Sequence, residues 1–311
     1  MPYTLKLIQI FRAYYQKGAF MPSLAVIRAL LCELTTSERV PRIPEPDLVM
    51  DDPDKVKAYT RAGREDGVMA PVYLFHCAQI CEILQKGDLA LDLGCGPATQ
   101  LAQVARLNPA VQFTGVDLSE EMLGRARDHV RDMDLTNVDF HRSSMTDLAK
   151  FKDASVDAVF STVALHHLPD QAHLQRTFEE VARVLKPGGG VYLVDFGRLH
   201  SERSIRYFAY QYADRQPELF TLDYLYSLQA AFSYDDFREA GRVLSDHARL
   251  YSTFLAPFMV ALKSSPRGQT DAGIRDQIAT MRTSMPDYHQ VDLKDLLTFF
   301  RLGGVRSAYL R

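Results

Sequence analysis

Leu89-Ala90-Leu91-Asp92-Leu93-Gly94-Cys95-Gly96-Pro97-Ala98-Thr99-Gln100 is the stretch on which the reading of the chain turns. An apolar strand runs into an acid and then into Gly-x-Gly. The glycines allow a tight turn and let a ligand lie against bare backbone. The helix that follows presents its positive N-terminal end to that ligand. A lone Gly-x-Gly is weak evidence, and a second feature adds weight. Phe113-Thr114-Gly115-Val116-Asp117 reads as a strand ending in an acid, 21 residues beyond Gly96. In dinucleotide-type folds an acid at about that distance holds a ribose diol.

Two cofactor classes compete for this pair. A nicotinamide or flavin site wants Gly-x-Gly-x-x-Gly, but Thr99 stands at the third glycine position. Asp92, an acid at the turn, would also repel a pyrophosphate. S-adenosylmethionine carries a sulfonium and an ammonium, which tolerate or favour Asp92. The residues therefore favour S-adenosylmethionine.

Outward from the motif, short apolar runs alternate with amphipathic helical stretches. Strands are expected at 89–93, 112–116, 138–141, 158–161 and 190–195, with helices at 100–107, 120–133 and 171–185 between them. Such alternation implies a mostly parallel sheet with helices on both faces. An aromatic-rich insertion, 198–234, follows. Then come a helix near 234–240, two strand-like runs at 248–255 and 258–263, and a polar tail ending in a short amphipathic helix at 293–302. Upstream, Leu5, Ile8, Phe11 and Tyr15 form one helical face, and a second helix starts after Pro22 and runs through Leu24, Ile27, Leu30 and Leu31. Residues 37–56 hold Pro41, Pro44, Pro46 and Pro53 among charges and read as a connector.

At this point the chain resembles a known family. Residues 88–200 look like a class I S-adenosylmethionine-dependent methyltransferase of the small-molecule type, similar to the ubiquinone and menaquinone biosynthesis methyltransferases. Five blocks carry the resemblance: Asp92-Leu93-Gly94-Cys95-Gly96, Val116-Asp117-Leu118-Ser119, Val156-Asp157-Ala158-Val159, Leu165-His166-His167-Leu168-Pro169 and Leu185-Lys186-Pro187-Gly188-Gly189. The resemblance implies a Rossmann-like α/β fold with a seven-stranded, mostly parallel sheet. It implies that Gly94 and Gly96 lie against the methionine end of the cofactor, with Asp92 in direct or water-mediated contact. Asp117 should hold the ribose hydroxyls, and Leu118 should pack on the adenine. Where the family often places an acid for the adenine amino group, this chain has Ser144 followed by Met145. Whether Ser144 or Asp147 makes that contact stays open. Thr162 and Leu165 should border the transferable methyl, and Tyr59 should cover the cofactor. S-adenosylhomocysteine would be the product.

His166 and His167 fall where the family places its substrate mouth. His166 is a candidate general base, because an imidazole titrates near neutrality. A loop-ordering role for the pair is the other reading. The insertion 198–234 follows the fifth strand at the ligand-binding edge, so Tyr207, Tyr210 and Tyr224 are candidate residues of a helical substrate lid, or the core of a cap. Arg198, Arg203, Arg206 and Arg215 in the same stretch would bind a substrate carboxylate or form a solvated face. Cys77 and Cys81 share a helix face. A zinc site wants four ligands, so these read as buried thiols, and no metal is expected. The organisation expected is a helical extension over 1–65 that forms the lid together with 198–234, a cofactor domain over 66–265 and a C-terminal helical tail over 266–311.

Composition narrows the function further. The chain has 311 residues, 47% of them hydrophobic, enough for a packed core. Its 36 basic and 39 acidic side chains lack the basic excess of nucleic-acid binders. Four cysteines are too few for a disulfide framework. No apolar run approaches the roughly 18 residues that span a bilayer, so no membrane partner is expected. The stretch 24–34 is broken by Arg28 and Glu33 and lacks a cleavage site, and a cytoplasmic location is expected. The expected activity is methyl transfer to an O, N or C nucleophile of a small molecule. A homodimer is compatible with the chain. Three rivals remain. A peptide or carrier-bound acceptor is one, although Ser161-Thr162-Val163-Ala164 lacks the Asn/Asp-Pro-Pro-Tyr-like tetrapeptide of macromolecular enzymes. A cyclase or lyase use of the same cofactor is the second, and a non-catalytic binding protein is the third.

Overall fold

The computed structural model describes residues 24–37, 39–45 and 67–310. The expected helix around Leu5 to Tyr15, and Tyr59, lie outside the described residues. The sheet strands are β1 Leu89–Leu93, β2 Gln112–Asp117, β3 Val138–Arg142, β4 Val156–Thr162, β5 Leu185–Phe196, β6 Ala248–Ser252 and β7 Met259–Ser264. The helices are α1 Leu24–Thr35, α2 Ala70–Cys81, α3 Thr99–Leu107, α4 Glu120–Asp132, α5 Gln171–Val184, α6 Glu202–Tyr210, α7 Glu218–Ala230, α8 Tyr234–Ala240, α9 Ala272–Ser284 and α10 Asp287–Leu302.

The seven strands follow the order β3-β2-β1-β4-β5-β7-β6. β3, β2, β1, β4 and β5 pair in parallel, and β7 pairs antiparallel with both β5 and β6. The chain builds outward from β1 through β2 and β3, then returns to lay β4 on the other side of β1. The chain leaves β1 for α3 on one face of the sheet and β4 for α5 on the other, which opens a crevice at the carboxyl edge. The Ser161 hydroxyl donates to the Leu93 carbonyl at 2.7 Å and ties the two strands together just there.

Each sheet face carries its own core. Phe75, Leu101, Phe113, Phe160 and Tyr192 lie in one cluster, and Leu91, Val159, Phe178, Leu193 and Phe237 in the other. Central parallel strands buried on both faces read as near-continuous apolar runs, which is why they were visible in the sequence.

Two elements differ from expectation. The polar tail contains a full helix, α9, capped by Asp271, whose carboxylate accepts the Ile274 amide at 3.0 Å. Its apolar stripe is a single column, Ile274, Ile278, Met281 and Met285, set among polar residues, and that weak periodicity concealed it. β5 begins at Leu185, five residues earlier than expected, because Lys186-Pro187-Gly188-Gly189 continues as strand rather than as turn. α10 is anchored by Phe300, which stacks on Phe75 of α2 with ring centroids 4.7 Å apart.

Candidate active site

The crevice holds a cavity of about 290 Å³. Gly94 sits at φ 73°, and a Cβ there would stand 2.5 Å from the Ala164 Cβ. Only glycine lets the loop after β1 lie against the loop after β4. Gly96, at φ 51°, faces open space and leaves its backbone bare toward the cavity. Val163, directly after β4, is held at φ 53°. That left-handed conformation costs a non-glycine residue about 1–3 kcal/mol and marks a site where surrounding structure overrides local preference.

Asp117 ends β2 at the same edge. Its Oδ2 accepts the Gly96 amide at 2.8 Å, and its Oδ1 accepts the Ser119 amide at 2.9 Å. These bonds fix the carboxylate at the mouth and leave each oxygen a further lone pair. Burial raises its pKa against the opposing pull of the Ser119 and Gly96 amides. Asp92 is 2% exposed, and burial, then the charge of Asp117, pushes its pKa well up. Among the described residues its carboxyl has no hydrogen-bond or ion-pair partner. Two acids so placed are costly without a cation or hydroxyl donors, and the ligand that offers both is the cofactor expected from the sequence. Leu118, 40% exposed, presents an apolar flank to the cavity.

The structure thus brings Gly94, Gly96, Asp117, Leu118, Ser144 and Met145 together in one wall. Asp92 lies behind it on β1. Thr162 is the last residue of β4 and does not line the cavity, whereas Val163 and Ala164 do. The Ser144 hydroxyl pairs with Thr146 at 2.7 Å, while the Asp147 carboxylate turns back to the Ala149 amide at 3.1 Å. Of the lid candidates, Tyr224 is half-buried against Phe196, Tyr207 packs on Phe208, and Tyr210 is 43% exposed under Arg206. Cys77 and Cys81 are both buried in α2.

Beside the cavity stands a polar cluster that sequence reasoning found only in part. His166, on a short 3-10 turn, is 2% exposed. Its Nδ1–H donates to Asp195 Oδ1 at 2.8 Å, and its backbone amide donates to Asp195 Oδ2 at 2.8 Å. The Phe196 amide also donates to Asp195 Oδ1, at 2.6 Å, so this carboxylate acts wholly as acceptor. Nδ1 therefore carries the proton, and Nε2 is left as the basic atom. Glu45 Oε1 lies 3.6 Å from that Nε2, and Glu45 Oε2 accepts from His167 Nδ1 at 2.8 Å. Burial alone would depress the His166 pKa, but the charge and hydrogen bond of Asp195, with the charges of Glu45 and Asp223, raise it above the ordinary histidine value. Burial would raise the Glu45 pKa, but the hydrogen bond and charge of His167, the charge of His166 and the Ser227 hydroxyl bring it down to about 2. Glu45, His166 and His167 place three ligand-type atoms within 4.8 Å of one another. Their hydrogen bonds account for that spacing without an ion.

Glu45 comes from the proline-rich connector, which acts as a strap. Arg42 donates to the carbonyls of Ala230 at 2.7 Å, Pro169 at 2.6 Å, His166 at 3.1 Å and Leu168 at 2.5 Å. Its guanidinium stacks 4.0 Å above Phe232. Neither Arg42 nor Glu45 had a sequence signal, since their partners lie more than 120 residues away. Asp195 had one: like Asp92 and Asp117, it is an acid near the carboxyl end of a central strand.

Residues 90–189 match the family model described as a methyltransferase domain. The 27-O-demethylrifamycin SV methyltransferase of Amycolatopsis mediterranei is 39% identical over 114 residues, 36% of this chain and 40% of that protein. The ubiquinone biosynthesis O-methyltransferase of Xanthomonas oryzae pv. oryzae is 34% identical over 137 residues, 43% of this chain and 55% of that protein. The chain spans about half the length of the curated relatives it matches. The plantazolicin methyltransferase BpumL, solved with SAH and a monoazolic desmethylPZN analog, shares the fold, with a TM-score of 0.53 at 15% identity over 76% of this chain and 87% of that one.

Proposed function

We propose that this chain, whose residues 90–189 form a class I S-adenosylmethionine-dependent methyltransferase domain, moves a methyl group to a hydroxyl oxygen of a small molecule. The carrying observation is the buried His166–Asp195 pair beside the glycine-lined cavity. The O-methyl transfer named for two of the relatives supports the same choice of acceptor atom.

When bound, S-adenosylmethionine supplies an electrophilic methyl on a sulfonium. Asp117 would take the ribose hydroxyls, Asp92 would face the cationic methionine end, and Leu118 and Met145 would flank the adenine beside Ser144. The acceptor hydroxyl would reach His166 Nε2 from beside Glu45. Its proton passes to Nε2 as the oxygen gains the methyl, and the charge left on the imidazole is compensated by Asp195. This is general-base catalysis with an orienting carboxylate, worth about 10²–10⁴-fold. Helices α6 and α7, with the strap 39–45, would act as the lid on the acceptor side.

Incubation with S-adenosylmethionine and a panel of aryl and alkyl alcohols, followed by mass spectrometry, tests this reading. Methyl ether and S-adenosylhomocysteine in equal amounts are expected, and both should be strongly reduced in His166→Asn. Methylthioadenosine as the nucleoside product would overturn it in favour of a cyclase or lyase.

A further inference from the structure

A second cavity, of about 130 Å³, lies among α1, α2, α6, α7, α10 and the β6–β7 turn. Its wall is rich in aromatic rings, with Phe208, Tyr212, Tyr224 and Phe258 among them. Two of these rings place it next to the dyad. Phe196 lies 5.5 Å from His166, 5.3 Å from Tyr224 and 6.0 Å from Phe258, centroid to centroid. The cavity thus sits one ring-thickness behind the proposed base.

Its charges are of one sign. Asp292 and Asp295, three apart on α10, both line it, and no Lys, Arg or His does among the described residues. Asp292 is held, accepting the Tyr212 hydroxyl at 2.9 Å with Arg215 at 3.7 Å. Asp295 has no hydrogen bond or ion pair among the described residues. Burial, and then the charge of Asp292, raises its pKa to about 6 despite the opposing charge of Lys294. An unpaired carboxylate facing an apolar, ring-lined space is stabilised by an incoming cation, and aromatic faces favour the same charge.

We propose that this cavity receives the body of the methyl acceptor, and that Asp295 with Asp292 selects an acceptor carrying a protonated amine on an apolar or aromatic frame. The inference rests on the methyl-transfer reading for the word acceptor; the charge selectivity of the cavity does not.

Titration of the full chain, saturated with S-adenosylhomocysteine, with 2-phenylethylammonium, 2-phenylethanol and 3-phenylpropionate tests it. The ammonium should bind at least about fivefold more tightly than the alcohol, the margin of a charge-assisted hydrogen bond over a neutral one. The propionate should bind weakest. Asp295→Asn should abolish the preference for the ammonium while S-adenosylhomocysteine binding persists, which shows that the fold is intact. The proposal is overturned if the ammonium does not bind, if it binds no better than the alcohol in the unsubstituted protein, or if its preference survives in Asp295→Asn. Loss of the methyl-transfer reading would instead show as failure to bind S-adenosylhomocysteine, with the ammonium preference scored independently.

Discussion

His166 is a base only when Nε2 is unprotonated, and its neighbours make that harder. Asp195 and Glu45 raise its pKa above 6.5, so the basic form grows as pH rises through a value above the ordinary one. kcat/KM should therefore climb with pH along a limb whose apparent pKa exceeds 6.5. Asp195→Asn should move that limb to lower pH and lower the plateau. His166→Ala should reduce kcat about 10²–10⁴-fold with little change in S-adenosylhomocysteine affinity. Gly94→Ala tests the cavity's back wall. Its Cβ would meet Ala164 at 2.5 Å in a left-handed backbone, so cofactor affinity should fall by more than about tenfold by calorimetry. At this scale the sequence singled out Gly94, Gly96 and Asp117, which line one cavity, because strand-end acids and turn glycines obey local spacing. It concealed Asp195's partnership with His166, because the two stand 29 positions apart and the chain between them folds into α5 and most of β5 before they meet.

The strap 39–45 is the element that most departs from its local appearance. Prolines and charges mark a connector, but Arg42 satisfies four carbonyls and Glu45 spans two histidines. Arg42→Ala leaves those carbonyls without their charged donor. It should cost about 2 kcal/mol or more in denaturant titration and expose the strap to limited proteolysis. Glu45→Gln removes a carboxylate whose pKa is lowered to about 2 from an ordinary 4.5. A depressed carboxyl stabilises the fold above its unfolded pKa and loses that contribution as pH falls toward the folded one. The stability gap between the unsubstituted protein and Glu45→Gln should thus be full at pH 6 and shrink below about pH 4.5. The same substitution should shift the acid limb of kcat/KM downward, since it removes one of the charges that raise the His166 pKa.

On the scale of the molecule, strand order turns local motifs into one site. Placing β4 beside β1 opens the crevice, and the three sequence blocks that hold Gly94, Asp117 and His167 meet there. The other two blocks begin β4 and β5 and meet each other at the opposite edge, where Lys186 pairs with Asp157 at 2.9 Å. That topology was legible from strand–helix alternation. Of the C-terminal contribution, the amphipathic stretch 293–302 within α10 was legible, whereas α9, which buries only a narrow stripe around Ile278, was not. Phe300→Ala, which removes the ring stacked on Phe75, should destabilise the whole domain by about 3–5 kcal/mol rather than melt the C-terminal segment alone. A single cooperative denaturation curve for the variant would show this. The central claim is that the cavity between Gly94, Asp117 and Ala164 holds the cofactor, and calorimetric titration with S-adenosylhomocysteine tests it most directly. The account predicts one saturable site per chain, weakened at least about tenfold by Asp117→Ala, which loses the carboxylate proposed to take the ribose hydroxyls. Absence of binding, or the same affinity in Asp117→Ala, would contradict it.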